Sequence, residues 1–196
     1  MWQGKTRIML RVEVHKQLND SSRAAIDMLA AKAVRSPELR RILLQVALEE
    51  VPQVSSRASR VIESCVQMSP ATLSELETEM VRALPCITDA AVRRSLLKIF
   101  TTHPLPGDED SQGLLMDSCF RYLTSAEEPI AVKVYCMDIL YRFTAHYPEI
   151  AKELMLTLEE MVRRDSSAIC FRGNFILKQL RLGNLPANPT APGHPQ

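Results

Sequence analysis

Four positions in this chain repeat a pattern at nearly constant spacing, and no other feature constrains the fold so tightly. With Val54, Val92, Val132 and Ile169 as anchors, the residue four later is Ala58, Leu96, Cys136 or Gly173. Seven later comes Val61, Ile99, Ile139 or Ile176, and eight later Ile62, Phe100, Leu140 or Leu177. Offsets of four, seven and eight lie on one face of an α-helix. The anchors are 38, 40 and 37 residues apart. A period near forty, with room for two helices in each unit, is the mark of stacked helical repeats.

The stretch Pro129–Ala145 shows how such a helix must sit. One apolar stripe passes through Val132, Cys136, Ile139, Leu140 and Phe143, and a second through Ile130, Val134, Met137 and Tyr141. A polar strip remains, with Tyr135, Asp138 and Arg142 as its clearest members. A helix apolar over most of its circumference needs cover on several sides.

Start signals divide the rest of the chain. Asp20, Ser21 or Ser22 caps a helix to about Val34, and Ser36-Pro37 opens the next, serine accepting an orphan amide and proline losing nothing at the first position. Pro52, Ser69-Pro70, Thr88 or Asp89, Ser111, Pro129, Pro148 and Ser166 or Ser167 mark further starts. Four helix pairs result, 37–67, 70–101, 111–145 and 148–182, with helix 20–34 covering the open end. Residues 1–19 form an N-terminal extension in which Ile8, Leu10, Val12 and Val14 alternate with polar residues, which suggests a short strand, with a helix as the alternative. Residues 20–182 form the repeat domain, and the proline-rich tail 183–196 is expected to be disordered.

Only 6 glycines and 5% aromatic residues argue against a turn-rich β-protein. The formal charge of +1 demands neither nucleic acid nor membrane. Five widely spread cysteines read as reduced packing residues of a cytoplasmic protein. There is no apolar run of a signal peptide and none of the roughly 20 residues that a membrane span needs.

Two helices carry a family resemblance. Glu128, Val132-Lys133, Cys136 and Leu140 resemble the second helix of a HEAT repeat, which reads as an acid, Val-Arg, a small residue and then an aliphatic one. Asp89, Val92-Arg93 and Phe100 are similar, with Leu96 in place of the small residue. Ser55 and Cys170 stand where the basic residue belongs in the other two units. Over about residues 37–182 the chain resembles the HEAT-like, armadillo-type α-solenoids, including small bacterial HEAT-like proteins of unassigned function. The resemblance implies an all-α, right-handed α-α superhelix of about nine helices, the second helix of each pair lining the concave face.

On those expected bounds the second helices carry +1, +2, +1 and +3, and the first −1, −2, 0 and −2. A basic inner layer thus faces an acidic outer one. The expected partner-binding strip holds Arg57, Arg60, Lys98, Tyr135, Asp138, Arg142 and Arg172, and arginine and tyrosine are favoured at binding hot spots. The bland alternative is a solvated helix face, with Asp138 and Arg142 an ordinary i,i+4 pair.

No chemistry stands out beside it. His15, His103, His146 and His194 are scattered and no cysteines form CxxC, so neither metal nor cofactor is expected. No GxGxxG or GxxxxGK[ST] is present. The function expected is a non-enzymatic interaction scaffold for a protein partner with an acidic segment. The alternative is a nucleic-acid-binding HEAT-like protein, extending to one similar to the HEAT-like DNA glycosylases, with Asp138 as the acid. With Tyr135 and Phe175 alone available for base stacking, nucleic-acid binding is expected to be weak and non-specific.

Overall fold

A computed structural model describes residues 2–164 and 167–186. Among them are ten α-helices, two 3₁₀ segments and no strand. The helices are α1 (Trp2–Gln17), α2 (Arg23–Val34), α3 (Pro37–Leu48), α4 (Val54–Met68), α5 (Glu77–Ala83), α6 (Ala90–Thr102), α7 (Glu109–Thr124), α8 (Ile130–Phe143), α9 (Ile150–Arg164) and α10 (Ser167–Arg181). The chain divides into two compact units, one running to Ile99 and the other starting at Phe100. In the first, α2 and α3 pack on α4, and α1 on α3; in the second, α7 packs on α8, and α10 on both α8 and α9.

The caps expected at Ser22 and Ser36 form. Ser22 accepts from the Ala25 amide at 3.1 Å and Ser36 from the Leu39 amide at 3.2 Å, with Pro37 in the first turn. Asp108 accepts from the Ser111 amide at 2.8 Å, so α7 begins two residues earlier than Ser111 and shortens the polar loop before it. Ser166 as a cap, and the tail beyond Pro186, lie outside the described residues.

Two expectations change. The strand suggested near residues 8–14 is part of α1, because what is buried follows a four-residue step. Val14 and Leu18 are covered and Leu10 half-covered, while Val12, which a strand would place with them, is 51% exposed. The helix expected from Pro70 to Leu84 is broken into a 3₁₀ segment, Pro70–Glu75, the short α5, and a second 3₁₀ turn, Leu84–Cys86. Hydroxyls offer local alternatives to helical pairing there, Thr72 donating to the Ser69 carbonyl at 2.7 Å and Ser74 to that of Ala71 at 3.0 Å. These two changes turn about nine expected helices into the observed set.

The repeated register is the core. Every residue at offsets four, seven and eight is buried, and of the anchors only Val54 is half-exposed. Gly173 lies against α9 so closely that a Cβ there would stand 2.8 Å from Cγ2 of Val162. Cys65, Cys119 and Cys136 are buried free thiols, Cys170 is half-buried and Cys86 is exposed. In α8, Ile130 at 46% exposure is the one member of the two stripes that faces water openly.

Candidate partner-binding face

The seven strip residues fall into three structural groups. Arg57 and Arg142 reach out of their own helices to close the end of another. Arg57 Nη1 donates to the carbonyls of Leu18 at 2.9 Å and Asn19 at 3.2 Å, just past α1. Arg142 Nη1 donates to the carbonyl of Phe100 and, at 2.7 Å, to that of His103, at the end of α6. The last carbonyls of a helix lack intrahelical donors and carry partial negative charge, so a guanidinium is well matched to them. Arg142 is 7% exposed, and burial lowers its pKa against the opposing effect of Asp138.

Lys98, Asp138 and Arg172 form the second group, tied between neighbouring second helices. Lys98 Nζ lies 2.5 Å from Glu63, joining α6 to α4. Arg172 Nε lies 2.5 Å from Asp138, joining α10 to α8, and its guanidinium stacks 4.8 Å from the Phe175 ring centre. Burial raises the Asp138 pKa, and the hydrogen bond and charge of Arg172 only partly offset this. Asp138 and Arg142 influence each other electrostatically but do not hydrogen-bond as the i,i+4 pair of the solvated-face alternative; each engages a different helix.

Arg60 and Tyr135 make up the third. Tyr135 is half-buried on α8, and Arg60 is exposed on α4. Arg60 borders a shallow cup of about 50 Å³ with Arg23, Glu63, Ser64 and Gln67. The acids around the cup are already held. Asp27 accepts from Arg23 at 2.8 Å and Ser64 at 2.9 Å, which lowers its pKa, and Glu63 is held by Lys98.

A family model described as a HEAT repeat domain matches residues 14–180. The chain belongs to the HEAT-repeat family. No curated protein and no solved structure matches it. HEAT repeats generally serve protein–protein interaction and are typically non-enzymatic. Among the described residues no cluster of His, Cys, Asp and Glu is suited to a metal ion, and no helix is long and apolar enough to cross a membrane.

The HEAT assignment gives the side-chain ties a common meaning. Arg57 to Leu18 and Arg142 to His103 each span 39 residues, Glu63 to Lys98 spans 35, Asp138 to Arg172 spans 34, and Asp27 to Ser64 spans 37. Each tie therefore reaches about one repeat along the chain. Several partners in this scheme have no sequence motif. Arg40, 4% exposed, donates to the carbonyls of Ala33 at 2.8 Å and Val34 at 2.9 Å and pairs with Glu75 at 2.6 Å. Glu50, at φ 55°, accepts from the Thr88 amide, from its hydroxyl at 2.8 Å and from the Asp89 amide at 3.4 Å, next to the start of α6. The only signal for Arg40 was a charged residue flanked by the apolar positions Leu39, Ile42 and Leu43.

With the observed bounds, α4, α6, α8 and α10 carry +1, +3, +1 and +3. Their partners α3, α5 with the 3₁₀ segment before it, α7 and α9 carry +1, −2, −2 and 0. The second helices are basic in each unit taken by itself.

Proposed function

We propose that this HEAT-repeat protein is a non-enzymatic scaffold that binds an acidic segment of another protein on the basic surface of its first unit. The observation that supports this most directly is the cup beside Arg60. Arg23 and Arg60 are both exposed at its rim; Arg23 is paired with Asp27 and Glu63 with Lys98, so the charge left for a partner at the rim is that of the Arg60 guanidinium. A volume of about 50 Å³ suits one carboxylate head and not a small-molecule substrate, whose pockets run to roughly 300–1,000 Å³. Exposed Arg94 on α6 and half-exposed Lys98 extend the basic surface within the same unit. Arg57, Arg142 and the Asp138–Arg172 pair contribute by holding the helices in register. Base-excision chemistry at Asp138 draws no support from this geometry, because Arg172 already occupies that carboxylate.

The test is affinity capture from the native source with the full chain, identification of the captured protein, and titration of its acidic segment by anisotropy. Arg60→Glu together with Arg94→Glu is expected to weaken binding at least about tenfold with an unchanged melting temperature. Undiminished affinity in that double variant sinks the reading.

A further inference from the structure

The outer face of α10 is built like an inner layer of the stack. Phe171, Phe175, Lys178 and Leu182 recur at i, i+4, i+7 and i+11, which is one stripe of a helix. Phe171 is 79% exposed, Phe175 43% and Leu182 63%, and Lys178 is exposed as well. Opposite them, Ile169, Gly173, Ile176 and Leu177 face the core. Phe175 is also held in place, stacked by Arg172, which Asp138 anchors from α8. Aromatic side chains are enriched at the centres of interfaces, and Phe175, held by Arg172, is already ordered before a partner arrives.

The ties elsewhere in the chain say what this face would meet. Counted from the repeat anchors, Glu63 at offset nine contacts Lys98 at offset six of the next second helix. Asp138 at offset six contacts Arg172 at offset three of the next. A helix laid on α10 in the same manner would set its offset-three residue against Phe175 and its offset-six residue against Lys178. The first must be apolar and the second acidic, one turn apart. From this we infer that the outer face of α10 docks an amphipathic helix of another protein, with apolar anchors on one stripe and a carboxylate positioned against Lys178.

Other occupants fit less well. The sequence of α10 holds Arg172, Lys178 and Arg181 and no acidic residue, so two copies of the chain joined through this face would oppose like charges. Residues 187–196 contain no acidic and no large apolar side chain. The inference deepens the scaffold reading but does not depend on the cup at Arg60, which lies in the other unit.

The experiment uses the full chain and two labelled synthetic helical peptides with identical leucine stripes, one carrying glutamates and the other lysines beside the stripe. The glutamate peptide is expected to bind about tenfold more tightly than the lysine peptide, and Lys178→Glu to reverse that order. Phe171→Ser is expected to weaken the glutamate peptide about tenfold without moving the melting temperature. Equal affinity for the two peptides, or indifference to Phe171→Ser, overturns the proposal. So does a wild-type dimer in sedimentation that Phe171→Ser dissociates, or tighter peptide binding after removal of residues 187–196. Those results would assign the face to a second copy or to the tail.

Discussion

Replacing Arg142 by methionine separates a structural guanidinium from a ligand-binding one. Methionine keeps most of the apolar stem in place while removing the donors to the carbonyls of Phe100 and His103. A hydrogen bond to a charged group contributes about 1.5–3 kcal/mol, and two are lost. The change also removes a charge that burial disfavours, and with it an Nη2 that is buried without a protein partner among the described residues. That relief offsets part of the loss. The net expectation is a destabilisation of about 2–3 kcal/mol, or a fall in melting temperature of roughly 5–10 °C. Urea unfolding followed by circular dichroism measures it, and hydrogen exchange should place the loosened amides around the end of α6. Arg142→Lys should fall between, since an ammonium lacks the fixed fork that spans two carbonyls. Arg60→Met, at an exposed site, should change stability by no more than about 0.5 kcal/mol. If Arg142→Met left stability intact while abolishing partner binding, the capping argument would be refuted and Arg142 would belong to the binding surface.

Gly173→Ala should destabilise by about 1–2 kcal/mol in thermal denaturation. The new methyl meets the stiff Val162 side chain, and this outweighs the gain in helix propensity; a stabilised variant would show that α9 yields freely. Glu50, Asp20, Asp27 and Glu75 have lowered pKa values, caused first by hydrogen bonds from Thr88, Ser22, Arg23 and Arg40 respectively. A lowered carboxyl pKa adds stability that is present above its unfolded value and lost as pH falls through the folded one. The urea midpoint of the first unit should therefore drop on acidification below about pH 4.5, and Glu50→Gln should flatten that slope. An equal slope in the variant would contradict the role given to Glu50. Labelled duplex and single-stranded DNA should show at most weak binding that disappears by about 0.15 M salt, because the available cations are few and several are paired. Sub-micromolar affinity at that salt would favour a nucleic-acid partner over an acidic protein segment.

The sequence was most legible where burial alone sets the residue type. The offsets four, seven and eight from each anchor are covered in the structure, and the helix starts at Ser22 and Ser36-Pro37 follow from cap chemistry, whereas the start at Asp108 was placed too late, at Ser111. The polar strip was harder to read, since a charged side chain on a helix says nothing of how far it reaches. Arg57 and Arg142 sit at offsets three and ten yet both end on carbonyls 39 residues away, and Arg60 between them does not. Arg40 and Glu50 escaped notice for the same reason, each acting on backbone groups that any sequence possesses. The face of α10 was missed because Phe171 falls outside the repeated apolar set, and Phe175 stood out only as a platform for a base. In α1 the alternating residues fitted two periods, and packing on α3 chose between them.

The one-repeat reach of the side-chain ties has a mechanical consequence. Within either unit, a pull on the chain would load the links in series, as in a zip, and not in parallel as across a sheet. When one tie of the Asp138–Arg172 kind opens, the slack it frees is the 34 residues between its ends. At about 3.5 Å per extended residue that is a step of roughly 120 Å. Under load such a molecule would lengthen in a few large steps of similar size, each limited by a single ion pair or capping arginine together with the helix packing beside it.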